Sequence, residues 1–516
     1  MAVRTLVDLV AQARQEYADL PALVVGGETW NYRRLTDALI RLADQLRGAG
    51  LKRGDRVVVC NGNSLPTVAT FLAAQLCGAC ACLLPIDTPD DTISYVIGNS
   101  GARLFIGAAD LIERLRRVSS DAPAPSADAG ALRFIDAAHV KDWCETAAAG
   151  LPMPTGAALS VDRAMIVYTS GSTGKPKGVV HTHQSVTAAL GSLLAYLPYR
   201  RGDVVMCALP MSFDYGLYQL LMSFSVGACV VLEREGELPT AILRDLARYR
   251  CTVFPGIATL YVLLAGYARA GRFDFSALRF VTNTGMALRA THVSAIRTLF
   301  PQAEIYSMYG LTECKRCTYL PPQELARKPD SVGIAIPDTE LMVVDADDAP
   351  CAVGEIGELV IRGATVMQGY WGDPVATARR IRTHPVHGDR CLYTGDHGWL
   401  DADGYFYFAG RGDDVVKVRG KKVVLNQVEK TLYECGGVRE AVVLMVSQAG
   451  EEDVLTAFWS GDGEATRDGL FAHCLARLER HEVPEAFVRL DNLPKTGNGK
   501  IDRTALKKRA CVNGPV

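Results

Sequence analysis

The chain has 516 residues, of which 49% are hydrophobic and 22% are charged, as in an ordinary soluble globular protein. Its 55 Lys and Arg residues nearly balance its 57 Asp and Glu residues, so the formal net charge of -2 gives no support for nucleic-acid binding or for a polybasic membrane role. Since no uninterrupted apolar run reaches the ~18 residues of a membrane span, we expect a cytoplasmic protein of several domain-sized units.

The first 20 residues carry a charge every few positions, which predicts an amphipathic helix and not a secretory signal. A cysteine-dense stretch follows, LCGACACLLP, with Cys77, Cys80 and Cys82. A metal or redox site is conceivable there, but no second Cys/His pair follows at zinc-site spacing. The apolar neighbours favour buried free thiols.

Helix-period segments alternate with short β-rich runs, among them RVVVC (56–60), DVVMCALP (203–210), ACVVLE (228–233) and RFVTNTG (279–285). This alternation predicts an α/β fold with mostly parallel sheets. Between about 118 and 159 the composition changes to Ala, Pro, Ser and Asp, which indicates a surface connection around one short strand and helix.

The strongest local signal is MIVYTSGSTGKPKGVVHTH, residues 165–183. A β-rich run leads into a loop of Gly, Ser, Thr and Lys, where glycines let successive N–H groups turn toward one anion. The P-loop pattern is not met, because Lys175 is followed by Pro176, and the serine-hydrolase pattern G-x-S-x-G is absent. The loop therefore predicts phosphate binding.

The next unusual stretch, LPMSFDYGLYQLLMSF (209–224), is apolar or aromatic apart from its single carboxylate, Asp214. Burying an unpaired carboxylate costs several kcal/mol. Asp214 therefore either caps the following helix or pairs with a cation, which the ligand could supply.

Three later stretches add polar groups at turns: SMYGLTECKR (307–316) with Thr312 and Glu313, the region of Asp396 and Arg411, and LPKTGNGKIDR (493–503) with Lys500. Each of these stretches is a weak signal when taken separately.

In this order, these motifs resemble the adenylate-forming superfamily of acyl-CoA synthetases, luciferases and adenylation domains of nonribosomal peptide synthesis. The blocks LLPIDTPDDTISYVI (83–97) and GELVIRGATVMQGYWGDP (357–374) extend the resemblance over nearly the whole chain. The resemblance implies a large N-terminal core, residues 1–411, of stacked mostly parallel sheets with helices and a distorted barrel. It also implies a small mobile α+β domain, residues 412–516.

The resemblance further implies ATP with Mg²⁺ as cofactors, an acyl-adenylate intermediate, and transfer of the acyl group to a phosphopantetheine thiol. Glu313 would bind Mg²⁺, Thr312 would meet the α-phosphate, and Tyr309 would line the adenine site. Asp396 would take the ribose hydroxyls, with Arg411 nearby. The residues implied to form the phosphate loop are Thr169, Ser170, Gly171, Ser172, Thr173, Gly174 and Lys177.

Residues of the small domain match three further roles in the family. Lys500 would bridge the carboxylate and α-phosphate oxygens, which makes it a catalytic residue along with Thr312 and Glu313. The small domain would then pivot at Asp413, and Gly420 would line the pantetheine channel.

For the acid, the family match places Asp214 in one wall of the acyl pocket, where amino-acid-activating relatives pair such an Asp with the substrate ammonium. Arg316 is unusual for a hydrophobic acyl tunnel, so it would pair either a second substrate carboxylate or Asp214. An amino or β-amino acid is the expected substrate. The other residues implied to line the pocket are Tyr215, Tyr218, Gly256, Asn283, Gly285, Met308 and Cys317.

The sequence leaves the thiol acceptor open. The chain ends soon after Lys500, which favours a separate carrier protein over a fused one, and CoA stays an alternative. Two other functions stay open: an acyl-CoA or acyl-AMP ligase for a fatty or aryl acid, and an inactive homologue that binds acyl-adenylate.

Overall fold

The computed structural model describes most of the chain, with the backbone alone at 118, 119, 413, 415, 417 and 422. The described residues are 3–119, 132–146, 152–154, 156–169, 175–268, 273–286, 288–384, 388–418, 421–446, 453–461, 465–495, 501–503, 505–507 and 509.

The chain divides into two compact units. The first consists of Met1–Leu341 and Ile361–Tyr393, and the second consists of Met342–Val360 and Thr394–Val516. The functional boundary between residues 411 and 412 stays a prediction, because compactness alone does not test where a domain pivots.

A nine-stranded sheet forms one layer of the first unit, and its inner strands pair in parallel. Helices connect successive parallel strands, which explains the alternation in the sequence. In sheet order the strands are Ile334–Ala335, Cys314–Leu320, Glu304–Leu311, Phe280–Asn283, Val253–Gly256, Val204–Cys207, Cys229–Leu232, Pro21–Val25 and Glu28–Asn31.

A seven-stranded sheet forms another layer of this unit. Its strand Cys80–Leu83 is buried along its whole length, as expected for a parallel strand covered on both faces. In sheet order the strands are Gly369–Tyr370, Lys177–Thr182, Arg163–Thr169, Cys80–Leu83, Arg56–Cys60, Leu104–Gly107 and Arg133–Asp136.

The helices of the first unit pack their apolar faces on these sheets. They are Leu6–Glu16, Tyr32–Gly48, Leu65–Leu76, Asp90–Ser100, Ala109–Ser119, Ala137–Glu145, His183–Tyr196, Asp214–Val226, Pro239–Arg248, Ala258–Ala268, Ala290–Leu299, Pro374–Arg380 and the 3-10 turn Pro322–Glu324.

Two of these helices bear on function because of where they begin. His183–Tyr196 starts directly after the strand Lys177–Thr182, and Thr182 caps it by accepting a hydrogen bond from the Ser185 N–H. Asp214–Val226 starts at the carboxylate singled out in the sequence and ends at Gly227, whose φ of 74° is the left-handed conformation that glycine adopts without strain.

A five-stranded sheet contains Thr339–Val344, Gly357–Gly363, Arg390–Leu400 and Ile381–Thr383, with Phe406–Arg411 paired to Arg390–Leu400. The rest of the second unit has its own apolar core. It contains the 3-10 turn Gly412–Asp414, the strands Val415–Val418, Lys421–Val424, Val438–Val446, Val454–Gly461 and Ala486–Arg489, and the helices Leu425–Tyr433 and Arg467–Leu475.

The α/β fold class predicted from the sequence is confirmed. The N-terminal amphipathic helix is Leu6–Glu16, and Cys77, Cys80 and Cys82 are buried free thiols as expected. No helix within the described ranges has the length and apolar character needed to cross a bilayer.

Candidate active site

The ends of the glycine-rich loop are held by a strand pair. Arg163–Thr169 and Lys177–Thr182 are antiparallel, and Thr169 lies directly opposite Lys177. The pairing fixes the base of the loop and brings these two predicted phosphate contacts to one end of the sheet. The other five predicted contacts, Ser170 to Gly174, lie outside the described residues.

Thr312 and Glu313 form the turn of an antiparallel hairpin, residues 304–320. The Tyr370 hydroxyl donates a hydrogen bond to Glu313 Oε1 at 2.7 Å, and the Met367 N–H donates to the Glu313 carbonyl at 2.8 Å. Lys177 Nζ lies 5.4 Å from the centre of the Tyr370 ring. Tyr370 therefore connects the base of the glycine-rich loop with the Thr-Glu turn.

A buried histidine holds the same turn from the other side. His181 is 2% exposed, and its Nε2 lies 2.8 Å from the Thr312 carbonyl oxygen. Because a carbonyl can only accept, Nε2 carries the proton in this contact. Burial lowers the pKa of His181, which keeps the ring neutral at physiological pH. This role was not predicted from the sequence, although His181 lies inside the quoted glycine-rich motif.

Glu313 is suited to the Mg²⁺ that the family resemblance implies. Mg²⁺ in nucleotide sites keeps several waters and binds one or two carboxylates together with substrate phosphates. A single carboxylate fixed by a tyrosine hydroxyl and lying near a lysine that could hold phosphate matches that pattern. Glu313 is therefore the residue that would hold the metal.

The carboxylate at the start of the helix Asp214–Val226 is paired with a lysine. Lys315 Nζ lies 2.5 Å from Asp214 Oδ1, and the side chains are 2% and 15% exposed. The direct protein partner of Asp214 is therefore Lys315 and not Arg316, while pairing with a substrate ammonium stays a prediction. The helix-cap alternative is also wrong: the N-cap residue is Phe213, and no side-chain capping bond is made.

The ionisation of this pair follows from its neighbours. Burial alone would raise the pKa of Asp214, but the charges of Lys315 and Arg316 outweigh it and lower that pKa. Burial and the charge of Arg316 together lower the pKa of Lys315 to about 7 against the attraction of Asp214. The carboxylate interacts with two cations, whereas the ammonium interacts with one cation and one anion.

Arg316 is the second buried cation of this region, at 4% exposure. One guanidinium nitrogen, Nη1, lies 3.3 Å from Thr284 Oγ1, and the guanidinium carbon lies 4.6 Å from the centre of the Tyr215 ring. Lys315 Nζ likewise lies 5.1 Å from the Tyr218 ring centre. Asp214, Lys315, Arg316, Tyr215 and Tyr218 are called the charged cluster below.

The predicted pocket residues Gly256, Asn283 and Gly285 lie at or just after the ends of two neighbouring strands. The Tyr215 hydroxyl contacts Thr282 Oγ1 at 2.6 Å and the carbonyl oxygen of Gly256 at 3.4 Å, which connects the helix Asp214–Val226 to two neighbouring strand ends. Asn283 is buried and donates to the Met286 carbonyl at 3.0 Å. Gly285 has a φ of 85°, and a Cβ there would meet open space.

Three predicted residues lie on the hairpin strands. Met308 is buried, with its sulfur 3.0 Å from the Tyr196 hydroxyl, and Cys317 is buried with its thiol 3.6 Å from the Cys314 carbonyl oxygen. Tyr309 is half-buried and pairs with Thr318 across the hairpin. The substrate and adenine roles of these residues stay predictions.

The predicted ribose contacts lie in the second unit and face each other across a strand pair. Asp396 is opposite Arg411, and Arg411 Nε lies 3.6 Å from Asp396 Oδ1. The expected proximity of the two side chains is therefore observed. Lys500 and Gly420 lie outside the described residues, and of Asp413 only the backbone is described.

The first unit carries the strand pair at the base of the glycine-rich loop, the Thr-Glu turn and the charged cluster, and this arrangement agrees with the family to which the sequence belongs. The chain belongs to the AMP-binding enzyme family, whose profile matches residues 9–371. The profile of the AMP-binding enzyme C-terminal domain matches residues 427–500.

Known proteins similar to the chain include peptide synthases and CoA ligases. Gramicidin S synthase 2 of Brevibacillus brevis is 28% identical over 99% of the chain, which spans only 11% of that protein. A long-chain-fatty-acid–CoA ligase of Salmonella typhimurium is 29% identical, over 98% of the chain and 95% of the ligase.

Solved structures share the fold over the full chain. ATP-bound MatB from Rhodopseudomonas palustris superimposes with a TM-score of 0.83 at 24% identity, covering 98% of this chain and 99% of that one. At this identity the similarity supports the fold and not the choice of acid.

Proposed function

We propose that this enzyme joins a carboxylic acid to a phosphopantetheine thiol in two steps, using ATP. A carboxylate oxygen attacks the α-phosphorus, the α–β phosphoanhydride bond breaks, and pyrophosphate leaves. The thiolate sulfur then attacks the acyl carbon, the bond to AMP breaks, and the thiol proton passes to solvent. The observation that carries the proposal is that one hairpin holds Thr312 and Glu313 in its turn and Lys315 and Arg316 directly after it.

The side chains act by preplacing charge and hydrogen-bond donors, since two anionic groups must meet. Thr169 and Lys177, with the loop between them, hold the β- and γ-phosphates, and Thr312 meets the α-phosphate. Glu313 holds Mg²⁺, which supplies positive charge to the phosphates when bound. These assignments rest on the family resemblance and on the contacts of His181 and Tyr370.

The remaining roles are proposed from the resemblance alone. Tyr309 lines the adenine site, Asp396 takes the ribose hydroxyls beside Arg411, and Lys500 bridges the carboxylate and α-phosphate oxygens. Asp413 acts as the pivot for the second step, in which Gly420 lines the pantetheine channel.

Two classes of acid are candidates. Loading of an amino or β-amino acid on a stand-alone carrier protein is supported by the similarity to peptide synthases. An acid without a free ammonium is supported by the Lys315–Asp214 ion pair, because the carboxylate that a substrate ammonium would need already has a partner in the protein. We favour the second class, since a substrate ammonium would add a further cation beside Lys315 and Arg316 with no further carboxylate among the described residues of the charged cluster.

The acceptor is either a holo-carrier protein or CoA. Similarity to peptide synthases supports the carrier, and similarity to a fatty-acid CoA ligase over 95% of its length supports CoA. Offering both thiols to the pre-formed acyl-adenylate distinguishes them by the product.

The test is ATP–pyrophosphate exchange over a panel of α-amino, β-amino and des-amino acids. Wild-type enzyme should exchange with at least one class, and Lys500→Ala should lower exchange by ~10²–10³, the loss typical of one oxyanion donor. Thiolation of supplied acyl-adenylate should survive in Lys500→Ala. Equal loss of both steps would contradict the assignment of Lys500, and no exchange with any acid would favour an inactive homologue.

A further inference from the structure

The charged cluster contains more basic side chains than carboxylates. Among the described residues it holds Lys315 and Arg316 against one carboxylate, Asp214, and the Arg316 guanidinium stays protonated at any physiological pH. His181 lies close enough for its charge state to matter, but it is neutral because it is buried. A buried cation is normally paired, so an uncompensated one indicates an anion that arrives with a ligand.

Arg316 is the cation whose bonding is incomplete. A guanidinium carries five N–H donors in a planar fork. The bond to Thr284 is long, at 3.3 Å, and its acceptor is neutral. The Nε atom is buried without a hydrogen-bond partner, and no ion pair of Arg316 occurs, in the part of the chain that the structure describes. The planar N–H donors of a guanidinium have the geometry to bind the two oxygens of a carboxylate.

Lys315 is not available for the same role, because its ammonium is 2.5 Å from Asp214. It already neutralises the one carboxylate with which a substrate ammonium would pair. The cluster therefore disfavours a cationic group on the substrate and leaves Arg316 for an anionic one.

The position of Arg316 fits a substrate contact. It lies on the hairpin that carries Thr312 and Glu313, and a Cβ added to Gly310 would meet the Arg316 Cα at 3.1 Å. Its guanidinium covers Tyr215 at the start of the helix Asp214–Val226.

We propose that Arg316 binds a second carboxylate of the acid substrate, so that the enzyme activates a dicarboxylic acid without a free ammonium at Asp214. This inference rests on the proposed function, since it names the acid that the adenylation step takes.

The experiment compares pyrophosphate exchange for matched pairs of acids, such as succinate with butyrate and glutarate with valerate, in which one partner lacks the second carboxylate. The ratio of kcat/KM within a pair should exceed ~100 for the wild type, because a site built for a polar group rejects an analogue that lacks it. Arg316→Gln should bring the ratio close to 1, mainly through KM, and Arg316→Lys should restore part of it.

Arg297→Gln is the matched control, since Arg297 is exposed on the helix Ala290–Leu299, and it should leave the ratio unchanged. Thermal melting and ATP affinity of Arg316→Gln establish that the variant is folded. A wild type that prefers monoacids or amino acids, or a ratio that Arg316→Gln leaves unchanged, overturns this inference while the proposed function stands. Exchange with no acid overturns both.

Discussion

The ammonium of Lys315 lies 2.5 Å from the carboxylate of Asp214, joining the hairpin after the Thr-Glu turn to the first residue of the helix Asp214–Val226. The contact neutralises the one carboxylate of a long apolar stretch from within the protein. It also leaves Arg316 as a buried cation that makes no ion pair of its own among the described residues. The proposed choice of acid therefore rests on the different pairing of two consecutive basic residues.

The first prediction concerns the stability of the ion pair. Lys315→Met should lower the free energy of unfolding by about 3 kcal/mol, since it leaves a largely buried carboxylate without its direct partner. Arg316 and the 15% exposure of Asp214 limit the loss. In the double variant Lys315→Met with Asp214→Asn, the loss of unfolding free energy should be smaller than the sum of the losses in the two single variants. Denaturant unfolding in a double-mutant cycle measures this difference.

Arg33→Gln provides the control for this cycle. It removes an ion pair to Asp19 in which both side chains are exposed, so its effect should stay below ~1 kcal/mol. Strict additivity of the Lys315 and Asp214 variants would contradict the pairing.

The second prediction concerns pH. The pKa of Lys315 is about 7 in the folded protein and has an ordinary value of 10.5, so between these values the unfolded chain binds more protons. The free energy of unfolding therefore rises with pH across that window, by at most ~1.4 kcal/mol per pH unit. Below pH 7 the folded protein bears the full cost of burying the protonated Lys315 side chain. The charged and titratable groups around Lys315 are Asp214, Arg316, His181, Cys317 and Tyr218.

The measurement is the stability difference between wild type and Lys315→Met from pH 6 to 10. The free energy of unfolding of the wild type should increase relative to that of Lys315→Met as the pH rises. A difference that is flat, or that moves the other way, would show that Lys315 keeps an ordinary pKa.

The third prediction separates positioning from folding at two buried histidines. His181→Ala should lower kcat of pyrophosphate exchange by ~10–100-fold with little change in KM for the acid, because Thr312 loses the donor that places it. His181→Gln, which keeps an N–H donor, should recover most of the rate. His183→Gln serves as the control: its Nδ1 accepts from the Leu6 N–H, so its loss should affect stability and not kcat. Equal kcat effects at both positions would contradict the role of His181.

The fourth prediction addresses the metal. Tyr370→Phe removes the hydroxyl that orients Glu313, so half-saturation by Mg²⁺ should shift upward by ~10-fold or more at fixed ATP. Tyr168→Phe removes a tyrosine hydroxyl bonded to Asn99 instead, and it should leave the Mg²⁺ dependence unchanged. An unshifted Mg²⁺ curve in Tyr370→Phe would remove the support for Glu313 as the metal residue.

Much of the fold could be predicted from the sequence, because local patterns determine it. The alternation of β-rich runs with helices gives the parallel sheets, and the order of the motifs gives the family. Asp214 could also be recognised from sequence, since a lone carboxylate in an apolar stretch needs a cation. Its location at the start of a helix was predicted too, but the capping bond is absent.

The partner of Asp214 could not be predicted, and the reason lies in the hairpin. Consecutive strand residues normally point to opposite faces, so the pattern allows only one of Lys315 and Arg316 to reach a given site. The pairing shifts from Tyr309 with Thr318 to Leu311 with Cys314, and such an irregularity redirects side chains. Lys315 and Arg316 consequently both contact the start of the helix Asp214–Val226.

The two residues that hold the Thr-Glu turn in place could not be predicted from the sequence either. His181 and Tyr370 are far from Thr312 and Glu313 along the chain, and both contacts depend on how the seven-stranded sheet lies beside the hairpin. The only sequence signal was that both residues fall within blocks that match the family.

The most direct test of the proposed acid specificity is the affinity of acyl-adenylate analogues in which a sulfamate replaces the phosphate. Calorimetry would compare analogues carrying a succinyl, a butyryl and a β-alanyl group on wild type and Arg316→Gln. We predict that the succinyl analogue binds wild type at least ~100-fold more tightly than the other two, and that Arg316→Gln removes this preference. Equal affinities on wild type, or tightest binding of the β-alanyl analogue, would contradict the assignment of Arg316 to a second substrate carboxylate.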